Sequence, residues 1–401
     1  MITAGEQAVF PLGYYRLSRS RPLCSRPLSQ KADFRLIKES ERAMADALRM
    51  AAIGLGRIGR IHAQHVHEFA SAKPGMCELT ALVDSDRERA EALAAEFSAD
   101  GGADVRIFGT VEDLIAADCS DAGFVCTPTE THRDTAGALV GAGQRVLLEK
   151  PLTDSLRQDR EFVAWLNANH PQSIMLAFQR RFDAPLQYAK QLLEAATIGR
   201  AFKIVSALED SGPPHAEYRS GGLLVDMSVH NVDEILWLTG KRPIAAGSMG
   251  SLIYSQGFSP VKEDFDDGYI RLWFDDRMIA QIEVSRNHVS GYRVETWIFG
   301  EKGHIHVGRF EQKPLEVVVE AYGRDQPIDR KTFAMRDYGH PVPEFVDRFG
   351  PAYRAELAHF IEQCRKGEPF SVNHNDGLRT MEVIDAALRS RWEPVPIHPT
   401  P

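Results

Sequence analysis

From residue 48 onward, short apolar runs alternate with longer stretches of helical periodicity. Residues 48–53 (LRMAAI) form an apolar run closed by glycine, which predicts a buried strand, and a helical segment follows at 60–70. The pattern then repeats: strand 79–83 and helix 85–97, strand 105–108 and helix 111–117, strand 123–126 and helix 131–142, strand 145–148. Alternating strand and helix predicts an α/β, doubly wound parallel sheet, with ligands bound beyond the carboxyl ends of the strands. Further on, a helix is predicted at 223–238. Strands 267–274 and 278–285 flank Asp275-Asp276-Arg277, and strands 292–299 and 304–310 flank Glu301-Lys302-Gly303, so both pairs read as hairpins. A strand at 315–321 continues the run. Residues 323–350, rich in Arg, Asp, Pro and Gly, read as a long excursion, and 353–364 and 377–390 as helices. The expected partition is a leader at 1–48, a first domain at 49–172 and a second at 173–401.

Composition narrows the class. The chain has 401 residues, 43% hydrophobic and 26% charged, enough apolar material for sizeable cores. The net charge of -9 argues against a general nucleic-acid binder, since phosphate contacts need clustered basic residues. The longest uncharged stretch, 243–261, is broken by Gly, Ser, Gln and Pro, so no membrane span is expected. Five scattered cysteines (Cys24, Cys77, Cys119, Cys126, Cys364) lack CxxC spacing. They suggest reduced thiols in a cytoplasm, with neither a disulfide framework nor a metal centre. Residues 1–48 carry +3 and the remainder -12. This leader has no continuous apolar core of a secretory signal. Arg16, Arg19, Arg21 and Arg26 lie among Ser and Pro as in transit peptides. The alternatives are a disordered tail or a start placed too early, with Met44 a natural beginning.

Candidate chemistry gathers at strand ends. Strand 48–53 runs into GLGRIG at 54–59, a G-x-G-x-x-G opening a helix. Gly54 permits the tight turn, Gly56 the approach of a pyrophosphate, and Gly59 close packing of helix on strand. The helix start offers N–H groups and a positive dipole end to phosphates. Asp84 ends the second strand, 25 residues after Gly59, where a carboxylate accepts ribose hydroxyls and repels a 2′-phosphate. NAD is therefore expected ahead of NADP, with Ser85 and Arg87 able to soften the preference. The alternative for Asp84 is a helix cap. Thr127-Pro128-Thr129 and Glu149-Lys150-Pro151 occupy two further strand ends. Lys150 could polarise a substrate oxygen or be a solvated rim lysine. In the predicted helix 223–238, Asp226, His230 and Asp233 share one face by spacing. Imidazole can take a hydroxyl proton near neutral pH with a carboxylate to orient it. A surface interaction is the alternative.

The motifs AIGLGRIGRIHA (52–63), VCTPTETH (125–132), AGQRVLLEKPL (142–152), FQRRFD (178–183) and GGLLVDMSVHNVDEILWLTG (221–240) together resemble the glucose–fructose oxidoreductase/inositol dehydrogenase/rhizopine catabolism (Gfo/Idh/MocA) family. The resemblance runs over about residues 49 to 392. It implies an N-terminal Rossmann domain and a C-terminal α/β domain with a large open, mainly antiparallel sheet. It also implies a hydride-transfer oxidoreductase of sugars or polyols, most like the inositol 2-dehydrogenase branch, assembled as a dimer or tetramer. It assigns Lys150, Asp226 and His230 to a catalytic trio: His230 as general base, Lys150 on the reacting oxygen, Asp226 holding both in register. The cofactor set it implies is Gly54, Gly56, Arg57, Ile58, Gly59, Asp84, Thr127, Pro128, His132, Glu149 and Lys150. Substrate ligands join the trio at Asp233, at Tyr292 (alternatively a packing residue in a strand) and at Asp210 (alternatively a turn residue). Arg293 stands where that branch usually has aspartate, a departure that bears on substrate identity. Two other functions are open on the same fold: a glycosidase-type enzyme that oxidises its substrate only transiently, and a non-catalytic dinucleotide-binding regulator. His62, His65 and His67 read as helix surface, and His304 and His306 as exposed on one strand face.

Overall fold

The computed structural model describes residues 47–99, 101, 104–212, 221–252, 265–308, 316–339, 342–390 and 395–397. The expectations for the leader therefore lie outside the described residues, apart from its last two. Residues 44–401 form one unit.

The first domain runs β1 (Leu48–Ile53), α1 (Arg57–Ala72), β2 (Cys77–Val83), α2 (Arg87–Ala99), β3 (Arg106–Phe108), α3 (Val111–Ala116), β4 (Ala122–Val125), α4 (His132–Gly141), β5 (Arg145–Leu148), α5 (Leu156–Asn169) and β6 (Ile174–Leu176). Its six strands are parallel, in the order β3-β2-β1-β4-β5-β6. Helices on both faces bury the central strands, which explains why β1 and β4 read as continuous apolar runs rather than alternating ones. The order reverses between β1 and β4, and the crevice at that switch point is where such sheets take ligands. One boundary needs correction: β6 lies beyond residue 172, so the first sheet ends at Leu176. A strand of three buried residues is too short to show a period.

The second domain adds α6 (Ala184–Glu194), β7 (Ala201–Glu209), α7 (Leu223–Asp226), α8 (Ser228–Thr239), β8 (Ala245–Ser251), β9 (Asp267–Trp273), β10 (Ile279–Ser285), β11 (Arg293–Gly300), β12 (Gly303–Val307), β13 (Glu316–Tyr322), β14 (Pro327–Ala334), α9 (Glu344–Lys366), α10 (His374–Ser390) and β15 (Val395–Pro396). The nine strands are ordered β14-β13-β12-β11-β7-β10-β9-β8-β15. Among the described pairs only β7–β10 is parallel. Buried residues alternate along β9 and β10, one face meeting helices and the other carrying the exposed Met249, Tyr269 and Ile279.

Three expectations change. The excursion at 323–350 holds β14 and the first turns of α9; β14 is an exposed edge strand and so lacks apolar alternation. The helix expected at 223–238 breaks at Met227 into α7 and α8. His306 is buried under the Trp297 ring, their centroids 3.7 Å apart, so it is not an exposed histidine. The two domains are tied by α9 and the chain that follows it. The Arg145 guanidinium donates to the Gln363 and Glu368 carbonyls at 2.6 Å each, and Arg365 donates to the Met76 carbonyl at 3.0 Å. Among the described residues no helix is long and apolar enough to cross a membrane.

Candidate active site

The glycine turn meets each demand the spacing raised. Gly54 has φ +81°, and a Cβ there would stand 2.7 Å from the Thr127 nitrogen, so a side chain is excluded on both counts. At Gly59 a Cβ would stand 1.8 Å from the Gly54 carbonyl oxygen, the close approach of helix to turn. At Gly56 nothing lies within 4 Å of the same point, and no side chain caps α1. Open space beside uncapped N–H groups at a helix start suits a pyrophosphate. Ile58 is half-buried behind the turn, and the exposed Arg57 lies over the Phe345 ring at 4.9 Å.

Asp84 is buried at the end of β2. It accepts from the Leu55 nitrogen at 2.7 Å and the Asp86 nitrogen at 2.9 Å, which fixes the turn against the second strand. The cap of α2 is Asp86, which accepts from the Arg89 nitrogen at 3.1 Å. Arg89 also pairs with Asp84 at 3.2 Å, whereas Arg87 is committed to Glu91. Thr127 accepts from the Thr131 hydroxyl at 2.8 Å, and Pro128 leads the short turn Thr129–Thr131. His132 is placed differently from expectation. Its ring is buried, with Nδ1 2.8 Å from the Pro151 carbonyl and Nε2 3.0 Å from the Thr127 carbonyl. Its ring lies between two main-chain carbonyls of two loops, and the neutral imidazole, favoured by burial, donates to one of them at a time.

Lys150 crosses the domain boundary. Its Nζ donates to the Asp226 carbonyl at 3.2 Å and to Oδ1 at 3.5 Å, while Arg286 donates to Oδ2 at 3.3 Å. Behind it, Glu149 accepts from the Lys150 nitrogen at 3.2 Å and from His62 Nε2 at 3.2 Å. His230 lies in the first turn of α8, its Nδ1 buried with no hydrogen-bond partner among the described residues. Burial, then the charges of Lys150 and Arg180, hold its imidazole well below the usual histidine range, so it is neutral. The break at Met227 undoes the expected stacking. The Asp226 carboxylate turns to Lys150 and Arg286 and not to His230.

The substrate candidates divide. Burial, then the Asp226 charge, pushes the Asp210 carboxyl up to about 6, against the pull of Arg286. Burial and then Asp210 push the Tyr292 phenol up, and Arg180 works the other way. Asp210 thus lies in the field of Asp226, and Tyr292 in that of Asp210. Asp233 does not join them: its carboxylate accepts from Arg181 at 2.6 and 2.9 Å, and Arg181 also meets Asp376 at 3.0 Å. Arg293 faces away, onto the open sheet face, where Glu283 and Glu209 lie at 3.0 and 3.2 Å.

Some residues of the site were not read from the sequence. Arg286 was given no role. FQRRFD carries three successive buried ion pairs: Arg180 with Glu234, Arg181 with Asp233, and Asp183 with Arg348. The available signal was two arginines enclosed by apolar neighbours, which need partners once buried. His62 and His65 are buried, not helix surface; His67 is half-buried on the Phe97 ring.

Comparison with known proteins identifies the family. Residues 48–177 match the oxidoreductase family model described as an NAD-binding Rossmann fold, and residues 186–306 match the GFO/IDH/MocA C-terminal domain. The inositol 2-dehydrogenase of Rhizobium meliloti (strain 1021) is 28% identical over 346 residues, 86% of this chain and 96% of that protein. The scyllo-inositol 2-dehydrogenase (NAD(+)) of Bacillus subtilis (strain 168) is 28% identical over 88% of this chain and 97% of its own length. The crystal structure of a putative myo-inositol dehydrogenase from Sinorhizobium meliloti 1021 superposes with a TM-score of 0.72 at 26% identity, covering 88% of this chain and all (100%) of that one. With its NAD-binding Rossmann domain and its partner domain both matched, the chain belongs to the Gfo/Idh/MocA family of oxidoreductases.

Proposed function

We propose that this protein is an NAD-dependent dehydrogenase that oxidises a secondary hydroxyl of a cyclic polyol or sugar, inositols foremost, to a ketone. The observation that carries the reading is the Lys150–Asp226 bridge across the domain boundary, two strands from the glycine turn in the sheet order, with the neutral His230 beside it. When bound, NAD supplies the hydride acceptor. Gly54, Gly56 and Gly59 shape the turn for its pyrophosphate, and Asp84 faces the ribose. Lys150 donates a hydrogen bond to the reacting oxygen, and Asp226 holds the ammonium in place. His230 takes the hydroxyl proton. Asp210, in the field of Asp226, and Tyr292, in that of Asp210, are the candidates to receive the remaining hydroxyls. The inositol dehydrogenases named above support the choice of substrate class. NADP remains an admissible cofactor, since Arg89 partly offsets the Asp84 charge.

The open face of the nine-stranded sheet, with Met249, Tyr269 and Ile279 exposed, supports pairing of subunits into a dimer or tetramer. Free thiols at Cys77, Cys119, Cys126 and Cys364 suit a reducing cytoplasm. A panel of inositols, aldoses and sugar acids, each assayed with NAD and NADP, tests the reading. Free NADH is expected with at least one cyclic polyol. Turnover without NADH, or no turnover across the panel, would contradict it.

A further inference from the structure

We propose that His62 is a positioning residue for the reaction, tying the helix that opens at the glycine turn to Lys150 through the Glu149 carboxylate. The proposal rests on the role given to Lys150 above. His62 lies in the second turn of α1 and is wholly buried. Its ring packs against Phe124 at 5.6 Å and edge-on to Tyr353 at 5.7 Å, so it has no room to swing away. Its Nε2–H donates to one Glu149 oxygen at 3.2 Å, and the other Glu149 oxygen accepts from the Lys150 nitrogen at 3.2 Å. Each oxygen of the carboxylate is thus committed, one to α1 and one to the main chain of the lysine. Burial opposes the Glu149 charge, but the His62 hydrogen bond and the neighbouring Lys150 keep the carboxyl below its usual range and so ionised.

The far side of the tripeptide is fixed as well, with His132 Nδ1 2.8 Å from the Pro151 carbonyl. Lys150 therefore leaves β5 from a main chain clamped on both sides, and its reach to Asp226 is set by that clamp. The helix that receives the phosphates also carries the side chain that aims the lysine. A displacement of about 1 Å at a reacting group costs on the order of a hundredfold in rate, with little change in affinity.

A bound divalent cation is the competing explanation. His62, Cys126 and Glu149 bring ligand atoms within 4.8 Å of one another, and both oxygens of the buried Glu356 lack a hydrogen-bond partner among the described residues. The hydrogen-bond reading needs no thiolate, so it expects Cys126→Ser to leave turnover unchanged and the purified protein to carry no stoichiometric zinc.

The test compares His62→Leu, His62→Gln, Glu149→Gln and the double variant His62→Leu/Glu149→Gln in the full chain. It reads kcat, the NAD dissociation constant and metal content. His62→Leu is expected to lower kcat by about 30-fold to 100-fold with NAD affinity within about threefold. His62→Gln, whose amide can still donate to Glu149, should recover to within about fivefold of wild type, and the double variant should be no slower than its slower parent. Wild-type kcat in His62→Leu, equal losses in the Leu and Gln variants, multiplying losses in the double variant, or zinc that disappears with Cys126→Ser would each overturn the proposal. If His62→Leu does not fold, His62→Gln and Glu149→Gln decide: fivefold or less beside a large loss supports the link, and equal rates reject it. Full turnover by Lys150→Ala would instead remove the reading of the active site on which the proposal stands.

Discussion

Asp226 and Asp233 lie seven residues apart on one stretch of chain, and each meets positively charged side chains, but in opposite ways. The Asp233 side chain is 2% exposed and gives both oxygens to Arg181 at 2.6 and 2.9 Å. The Asp226 side chain is 17% exposed and holds Lys150 at 3.5 Å and Arg286 at 3.3 Å. A short, closed, buried pair fixes architecture, since breaking it strands a charge away from water. A longer pair at the edge of a crevice leaves the lysine able to add another oxygen to its donors. By spacing the two aspartates look equivalent; only the surroundings separate positioning of a reaction from support of a fold.

That contrast can be broken by mutation. Asp233→Asn should destabilise the fold by about 3 kcal/mol, because among the described residues Arg181 keeps only Asp376 as a charged partner. Its thermal midpoint should drop, while kcat of the folded fraction stays within about threefold. Asp226→Asn should do the reverse: kcat lower by about 30-fold, with a thermal midpoint within about 2 °C of wild type. If Asp233→Asn lost activity without losing stability, Asp233 would belong among the substrate ligands after all.

A buried acid with no cation sharpens the point. The Asp159 carboxylate accepts from the Thr153 hydroxyl at 2.7 Å, and burial, against the pull of Thr153, pushes it up to about 7. The folded state therefore holds a proton that the unfolded chain, at about 3.9, has released. Its contribution to stability is full in acid and is lost as pH rises from about 4 through about 7. Asp159→Asn should be close to wild type at low pH and melt a few degrees higher above pH 8; melting curves across that range would show whether the gap opens with pH. The smallest effect is expected at Arg293. It stands at a position where the sequence departs from the inositol branch, yet it is engaged by Glu209 and Glu283 on the open sheet face. Arg293→Asp should change substrate KM by less than about threefold, and a larger shift would bring this residue back into the discussion of specificity.

The first half of the site was legible because it is contiguous. GLGRIG meets its demands within six residues, and Asp84 and Glu149-Lys150 fall at strand ends that apolar runs reveal. The second half was legible only through resemblance. Nothing in the 223–238 stretch announces the break at Met227, and that break turns Asp226 from His230 toward Lys150. Arg286, Arg181 and His62 find these partners 52 to 87 residues away, at distances in sequence that no period spans. β6 and β14 were missed for physical reasons of their own, one too short to alternate and the other an edge exposed along most of its length. His132 was read as a cofactor ligand from its place in a motif, and its ring lies against the Pro151 and Thr127 carbonyls, a contact that the motif did not reveal.

The most direct measurement removes the lysine. Wild type and Lys150→Ala are compared for NADH formation from the best cyclic polyol, with NAD affinity measured in parallel. The account predicts loss of at least about a thousandfold in turnover while NAD binding stays within about threefold. Wild-type turnover in Lys150→Ala would contradict the assignment of the bridge between the domains as the reacting centre.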